Sequence, residues 1–398
     1  MTRYRAVLAI PGMAALMSAS LLARTAITAN TTALVMFVVL ALDLSYAAAG
    51  AVAAALTAGI AVSGPLLGRL IDRRGLRTVL LGTVTAQVLF WTSVPFMDYG
   101  VLLPTALAAG LLMVPVQSVT RQAIAAMTTP EQRRAAFALE AVQGELTYLI
   151  GPAVVILLAA STSPGPVAWG VGAAIVAGGA LIGLLNPPLR TADEAEAHAG
   201  PRPPRRAWLD SRMIAVLTMA VGTTTLLGGI DLAIIAALEA TGQVSRAAAV
   251  VAVLGITSVI GGLVYGAMTR PMPTWLLLAL LGLATMPLGL APDWRWLCLA
   301  AVVAGLLTAP TLATVADAVS MLAPASVRGE ATGLQASAQS AGIALGAPLA
   351  GLAIDLTVPA GGFAAAGLAG VVAALVGLLL SRNRIGRTPS GARPAAGA

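Results

Sequence analysis

The sequence predicts an all-α membrane protein: twelve transmembrane helices arranged as two pseudo-symmetric six-helix bundles. Three observations carry this. Hydrophobic residues make up 58% of the 398 and charged residues only 10%, where a soluble domain carries about 25% charged residues. Apolar stretches recur at lengths near the roughly 20 residues that cross about 30 Å of hydrocarbon. The arginines fall almost wholly in alternate loops, the asymmetry that positive charge imposes by resisting translocation.

Punctuated by turn residues and charge, the spans of the first half fall near 8–39, 47–69, 77–96, 101–126, 135–160 and 167–187. Those of the second fall near 212–239, 247–268, 274–291, 294–321, 331–356 and 361–381. The first is longer than a crossing requires, so part of it is expected to tilt or to lie at the interface. Its opening, "MTRYRAVLAIPGM", sets positive charge before an apolar stretch. That stretch outruns the core of a signal peptide and reads as a helix that stays.

With the N-terminus inside, twenty arginines lie in or near inner segments and only Arg246 and Arg295 lie outside. Both termini are therefore expected in the cytoplasm, the chain being a monomer in a bacterial cytoplasmic membrane. Residues 188–211 are a polar linker between bundles at 1–187 and 212–381. The linker and the tail 382–398 have the composition of disordered segments.

Several function classes are excluded at this point. The formal charge of +7 does not point to nucleic acid, because the arginines lie between apolar spans rather than on one face. There is no Lys, hence no "GxxxxGK[ST]" phosphate loop. Cys298 is the only cysteine and His198 the only histidine, so neither a disulfide nor a metal cluster is expected. No His, Cys or paired-acid constellation near an interface speaks for an enzyme. No cofactor is expected, the proton serving as coupling ion.

The halves repeat one another. "GPLLGRLIDR" at 64–73 matches Gly64 and Gly68 to Gly262 and Gly266 at an offset of 198. At an offset of 195, Arg133 matches Arg328, Leu139 Leu334, Glu140 Gln335 and Gly151 Gly346. A parallel repeat of six-helix halves is a transporter architecture, with its substrate site near the midplane between them.

Between the second and third spans stands Gly68-x-x-x-Asp72-Arg73-x-Gly75-x-Arg77. Gly64 and Gly68, four apart, make a flat face for close helix packing. Asp72, read as just past its helix end, is placed to accept from a neighbouring helix N-terminus and to pair with an arginine. Arg121 is the candidate partner. Here the chain resembles the major facilitator superfamily. The resemblance covers nearly the whole chain and rests also on "ALEAVQGELTYLIGP" and "GGIDLAIIAALEATG". It implies alternating access, membrane carboxylates that exchange protons, and a latch of Gly68, Asp72, Arg73, Gly75, Arg77 and Arg121 that favours the outward-facing state. The plainer reading keeps the loop arginines as topology anchors. Leu76 stands where the family often has a base. In the fifth span Gly151 and Pro152 match the antiporter pattern G-P-x-x-G-G, but Val155 and Ile156 replace its last glycines. Pro152 removes a backbone hydrogen bond and can bend the helix.

A charge at the bilayer centre costs on the order of 2.5–3.5 kcal/mol or more, so each needs a reason. Arg24 shares a polar stripe with Ser20, Thr28 and Thr31. It reads as a contact for substrate or counter-ion, as half of a structural pair, or as snorkelling to an interface. Asp231 is expected to face Arg24 across the cavity, in a pair broken by protonation or in a fixed bridge between the halves. Glu145 is the preferred proton carrier, and Glu140 is expected to pair with Arg133 or Arg134. Gln335 and Gln339, with Gly342 and Gly346, form a face that either binds substrate or packs on the second span. Asp43, Asp98, Glu239 and Asp293 read as solvated loop residues.

The function expected is proton-coupled export of a small organic molecule, with small molecule, protons and lipids as the only partners. Uptake of a sugar or other small metabolite by symport, and a sensor without flux, are the alternatives. Weak acids, zwitterions and amphiphilic drugs all remain open as substrates.

Overall fold

The computed structural model describes residues 2–191, 194, 203–268 and 270–382. His198, Arg202, Arg384, Arg387 and Arg393, most of the linker and nearly all of the tail lie outside the described residues. The first six spans are α1 (Met13–Leu40), α2 (Tyr46–Arg74), α3 (Leu76–Phe96), α4 (Tyr99–Met127), α5 (Pro130–Ser161) and α6 (Pro164–Leu185). The second six are α7 (Ser211–Ala240), α8 (Ala247–Ala267), α9 (Thr274–Leu290), α10 (Trp294–Leu322), α11 (Arg328–Leu356) and α12 (Pro359–Arg382). Among the described residues, eleven spans are long and apolar enough to cross a membrane, and α9 is a shorter twelfth.

Departures from the expected boundaries have local causes. The over-long first span divides at Pro11 and Gly12: Gly12 takes φ 81, and a separate short helix, Thr2–Leu8, precedes α1. α2 runs on to Arg74 and stops where Gly75 takes φ 83, so Asp72 lies in its last turn rather than beyond it. α4 is interrupted at 112–115, ahead of Pro115, which has no N–H to donate. In α9 the chain tightens to a 3-10 turn from Met286, next to Pro287. Twelve α-helical and five 3-10 residues together reach about 28 Å, close to a bilayer's hydrocarbon. α5 begins earlier than expected, at a capping box of Thr129 and Gln132, and continues through Pro152 without interruption. Asp98 and Asp293 are not merely solvated: each caps the helix that follows it, accepting from Val101 N at 2.9 Å and from Arg295 N at 2.8 Å.

Leu81, Leu184, Leu299 and Leu379 are exposed on the outside of the bundle, a pattern that suits lipid and not water. One buried cluster draws only on the first half, from Leu16 to Ile182. Two draw only on the second. A fourth joins them, setting Val7, Met13, Ile124 and Phe137 against Ala309, Ala313 and Ala316.

Between the halves, α2 packs on α11, α5 on α8 and α10, and α4 on α10 and α11. Gly64 and Gly68 rest directly on the backbone of Gly333 and Gly329; a Cβ on either would overlap it. Gly342 and Gly346 do not face the second span; they admit α7, at Val221, Thr224 and Thr225. These seams concentrate at the end of the bundle that carries Arg69, Arg73, Arg133, Arg134 and Arg328, here termed the arginine-rich face.

Candidate functional site

At the arginine-rich face, α11 begins with unpaired backbone N–H groups and the positive end of its dipole. Asp72 takes them: its two carboxylate oxygens accept from Gly329 N at 3.1 Å and Glu330 N at 3.0 Å. Arg121 is not its partner, because that side chain points into the bundle core. Arg190 instead donates to the Asp72 carbonyl at 3.3 Å. Arg73 and Arg77 are exposed at this surface. The neighbouring acid, Glu330, is buried and takes Arg205 at 2.5 Å with Arg69 at 3.9 Å. Arg328 pairs with Glu194 of the linker at 2.7 Å. Partial burial pushes the Glu194 carboxyl up, but the Arg328 guanidinium and the Thr191 backbone N–H outweigh it and hold it at about 2.

One layer deeper, Glu140 gathers two arginines on one oxygen. Arg24 of α1 meets Glu140 Oε1 at 2.5 Å, and Arg121 Nε of α4 meets it at 3.3 Å. The Arg121 contact is an ion pair without hydrogen-bond alignment, since Nε has no such partner. Arg121 Nη1 also donates to Gln339 Oε1 on α11 at 3.3 Å, which ties the halves together. Gly144 leaves room for the Arg24 guanidinium, which a Cβ there would meet. Glu140 therefore does not pair with Arg133 or Arg134, whose guanidiniums go to the carbonyls of Ala125 and Met268. Nor does Arg24 face Asp231. Thr28 is held inside the α1–α5 contact, donating to the Thr147 carbonyl at 2.7 Å, and Gly151 packs against it. Gln335, one turn from Gln339 on α11, is wholly buried with neither amide atom partnered among the described residues.

Further from the arginine-rich face, two carboxylates from opposite halves lie in electrostatic range of each other. Asp231 Oδ2 on α7 accepts from the Tyr148 hydroxyl of α5 at 3.0 Å. Glu145, one turn back on α5, lies within reach of Ser258 on α8 and in electrostatic range of Asp231. Among the described residues neither acid has an arginine at ion-pair distance. Beyond Tyr148 and Asp231, no hydrogen bond or ion pair among the described residues joins the halves, so the polar ties between them gather toward the arginine-rich face.

Sequence reasoning missed Tyr148, Ser258, Glu330, Glu194 and Arg205 as participants. Only Tyr148 had a signal: it shares a helical face with Glu145.

Paired helical bundles clasped at one face, with ionisable side chains along the seam, have the build of a secondary transporter. The chain belongs to the Major Facilitator Superfamily, whose sequence profile matches residues 16–291. As a member it is a multi-pass transporter that works by alternating access, in a family of transporters rather than enzymes. Its fold is similar to that of the human organic anion transporter MFSD10 (TETRAN), at 17% identity and a TM-score of 0.71, covering 94% of this chain and 99% of that one. It is similar also to a bacterial homologue of the iron transporter ferroportin in an outward-facing state, at 13% and 0.73, covering 92% and 98%. A third similar structure is FucP in the outward conformation, at 17% and 0.68, covering 94% and 99%. No curated protein matches the chain in sequence.

Proposed function

We propose that the protein exports a small organic molecule across the cytoplasmic membrane in exchange for protons, with the arginine-rich face toward the cytoplasm. The observation that carries this reading is the pair of carboxylates, Glu145 and Asp231, contributed by opposite halves and, among the described residues, without an arginine at ion-pair distance. Like charges at short range in a medium of low dielectric repel strongly. A proton, or a cationic group on the substrate, neutralises the pair, so the two ligands compete for one site. Competition of this kind is the linkage an exchanger needs, since binding either ligand weakens the other. In the proposed cycle the pair takes up its proton from the outside while the arginine-rich face is clasped.

Uptake by symport is the second reading. It is favoured by α5, where Val155 and Ile156 stand in place of the antiporter glycines.

The test is transport in proteoliposomes under an imposed pH gradient. Asp231→Asn and Glu145→Gln are each expected to bring gradient-driven flux near background while leaving the melting temperature unchanged. Undiminished flux in both variants sinks the coupling assignment. Accumulation in right-side-out vesicles under an inside-alkaline gradient turns the reading to uptake.

A further inference from the structure

The layer beneath the acid pair has one more positive charge than negative. Arg24 and Arg121 share a single carboxylate, and both use the same oxygen of Glu140. Arg121 and Glu140 are almost fully buried, whereas Arg24 remains 13% exposed and so is still in touch with the seam. Glu145 lies in electrostatic range of Arg24 but not at ion-pair distance, so it answers this excess only in part, and a charge left partly unbalanced out of water is unfavourable. Close by, Gln335 keeps both a donor and an acceptor unpartnered among the described residues, at 0% exposure. A buried amide with neither atom bonded is the mark of a missing partner. Gln335 and Gln339 sit one turn apart on the same face of α11, and Gln339 is held by Arg121.

We infer that Arg24, Arg121, Gln335 and Gln339 form an anion-binding pole, and that the transported molecule is amphoteric, with a carboxylate held here and an amine at Glu145 and Asp231. The inference rests on the exchange reading for the amine end only. Its chemistry follows from the donors: guanidinium presents parallel N–H groups that fit a carboxylate, and the Gln335 amide adds a further donor. Its timing follows from the packing. The Arg121–Gln339 and Ser118–Thr332 bonds span the halves, so they break when the arginine-rich face opens. Arg121 then loses Gln339, Gln335 loses its cover, and a carboxylate arriving from that side replaces what parting removes.

The experiment uses full-length protein in nanodiscs and measures affinity by thermal shift, without a gradient. The probes are ω-amino acids of three to eight carbons, the amide of each, and the matching alkanoates that lack the amine. At the best chain length the amino acid is expected to bind about tenfold tighter than its amide, the size of one charge-assisted pair. Arg24→Gln should erase this preference and Arg24→Lys should retain it. Gln335→Leu should weaken the preference while melting no lower than the wild type, because it removes an unsatisfied buried amide. Acid and amide behaving alike at every length, including no response from either, overturns the inference. So does a Gln335→Leu protein that melts lower and keeps the preference. An alkanoate binding as tightly as the amino acid removes the amine end and with it the exchange reading, while the anion pole stands. Asp231→Asn should lose flux and keep the carboxylate preference.

Discussion

The α2–α11 seam and the α5–α8 seam occupy related places in the two halves and close by opposite chemistry. In the first, a carboxylate in the last turn of α2 meets the N-terminus of α11, with Asp72 bonded to Gly329 and Glu330. In the second, the carbonyl of Met268 just past α8 accepts from Arg3 and Arg134, each at 2.9 Å, and Tyr4 donates to the Leu263 carbonyl. Glycines line both: Gly64 and Gly68 lie on Gly333 and Gly329, while Gly262 and Gly266 lie against Val142 and Ala138. Close backbone approach has been kept in the repeat and the polar clasp has not, since Arg270 stands near the place of Asp72. Each seam answers the helix end presented to it, an anion at exposed N–H groups and cations at exposed carbonyls. The first clasp is partly buried and is made by one residue. The second is shared by three side chains, Arg3 and Arg134 through exposed bonds and Tyr4 through a part-buried one.

The largest effect is expected from Gly68→Leu. A Cβ there meets the Gly329 backbone, which cannot rotate away, so closing the arginine-rich face should cost about 3 kcal/mol. Spin labels at the ends of α2 and α11 should report a longer distance, with transport nearly lost. An unchanged distance would break the account of the seam. Next, Asp72→Asn should shift the equilibrium toward the opened face by about 1–2 kcal/mol. Arg134→Ala should shift it by less than about 1 kcal/mol, since the bond it removes is exposed and Arg3 stays in place. Equal shifts in the same distance measurement would abolish the contrast between the seams.

The smallest effect concerns pH. The folded Glu194 carboxyl, at about 2, lies below the roughly 4.3 of a free Glu. The contribution of its tie to Arg328 is therefore complete above about 4 and fades as pH falls toward 2. The melting temperature of Glu194→Gln should lie below that of wild type by a constant margin between pH 5 and 8. A margin that shrinks across that range would show that the tie is not held this way.

Some of the site was legible in advance because it depends on near neighbours. Asp72 was assigned to a neighbouring helix N-terminus from its place at the end of the second span, and the structure supplies one. Which helix it meets was not legible, and Arg121 was the wrong arginine because it is committed to Glu140. Glu140 was misread for a related reason. Arg133 shares its helical face but lies two turns away, about 10 Å along the axis, while Arg24 and Arg121 arrive from other helices. Arg24 was set against Asp231 by the symmetry of the first and seventh spans. The gap at Gly144 draws its guanidinium toward α5 instead.

Apolar length and arginine placement, both local properties of the chain, determined by themselves that twelve spans cross a membrane, and where the loop motif stands. The charge partners, the burial of Gln335 without a partner among the described residues and the bond of Tyr148 to Asp231 were decided only by tertiary packing. Such contacts join residues some 80 to 220 positions apart, and with few ionisable groups in an apolar medium, the helix that lies alongside selects each partner.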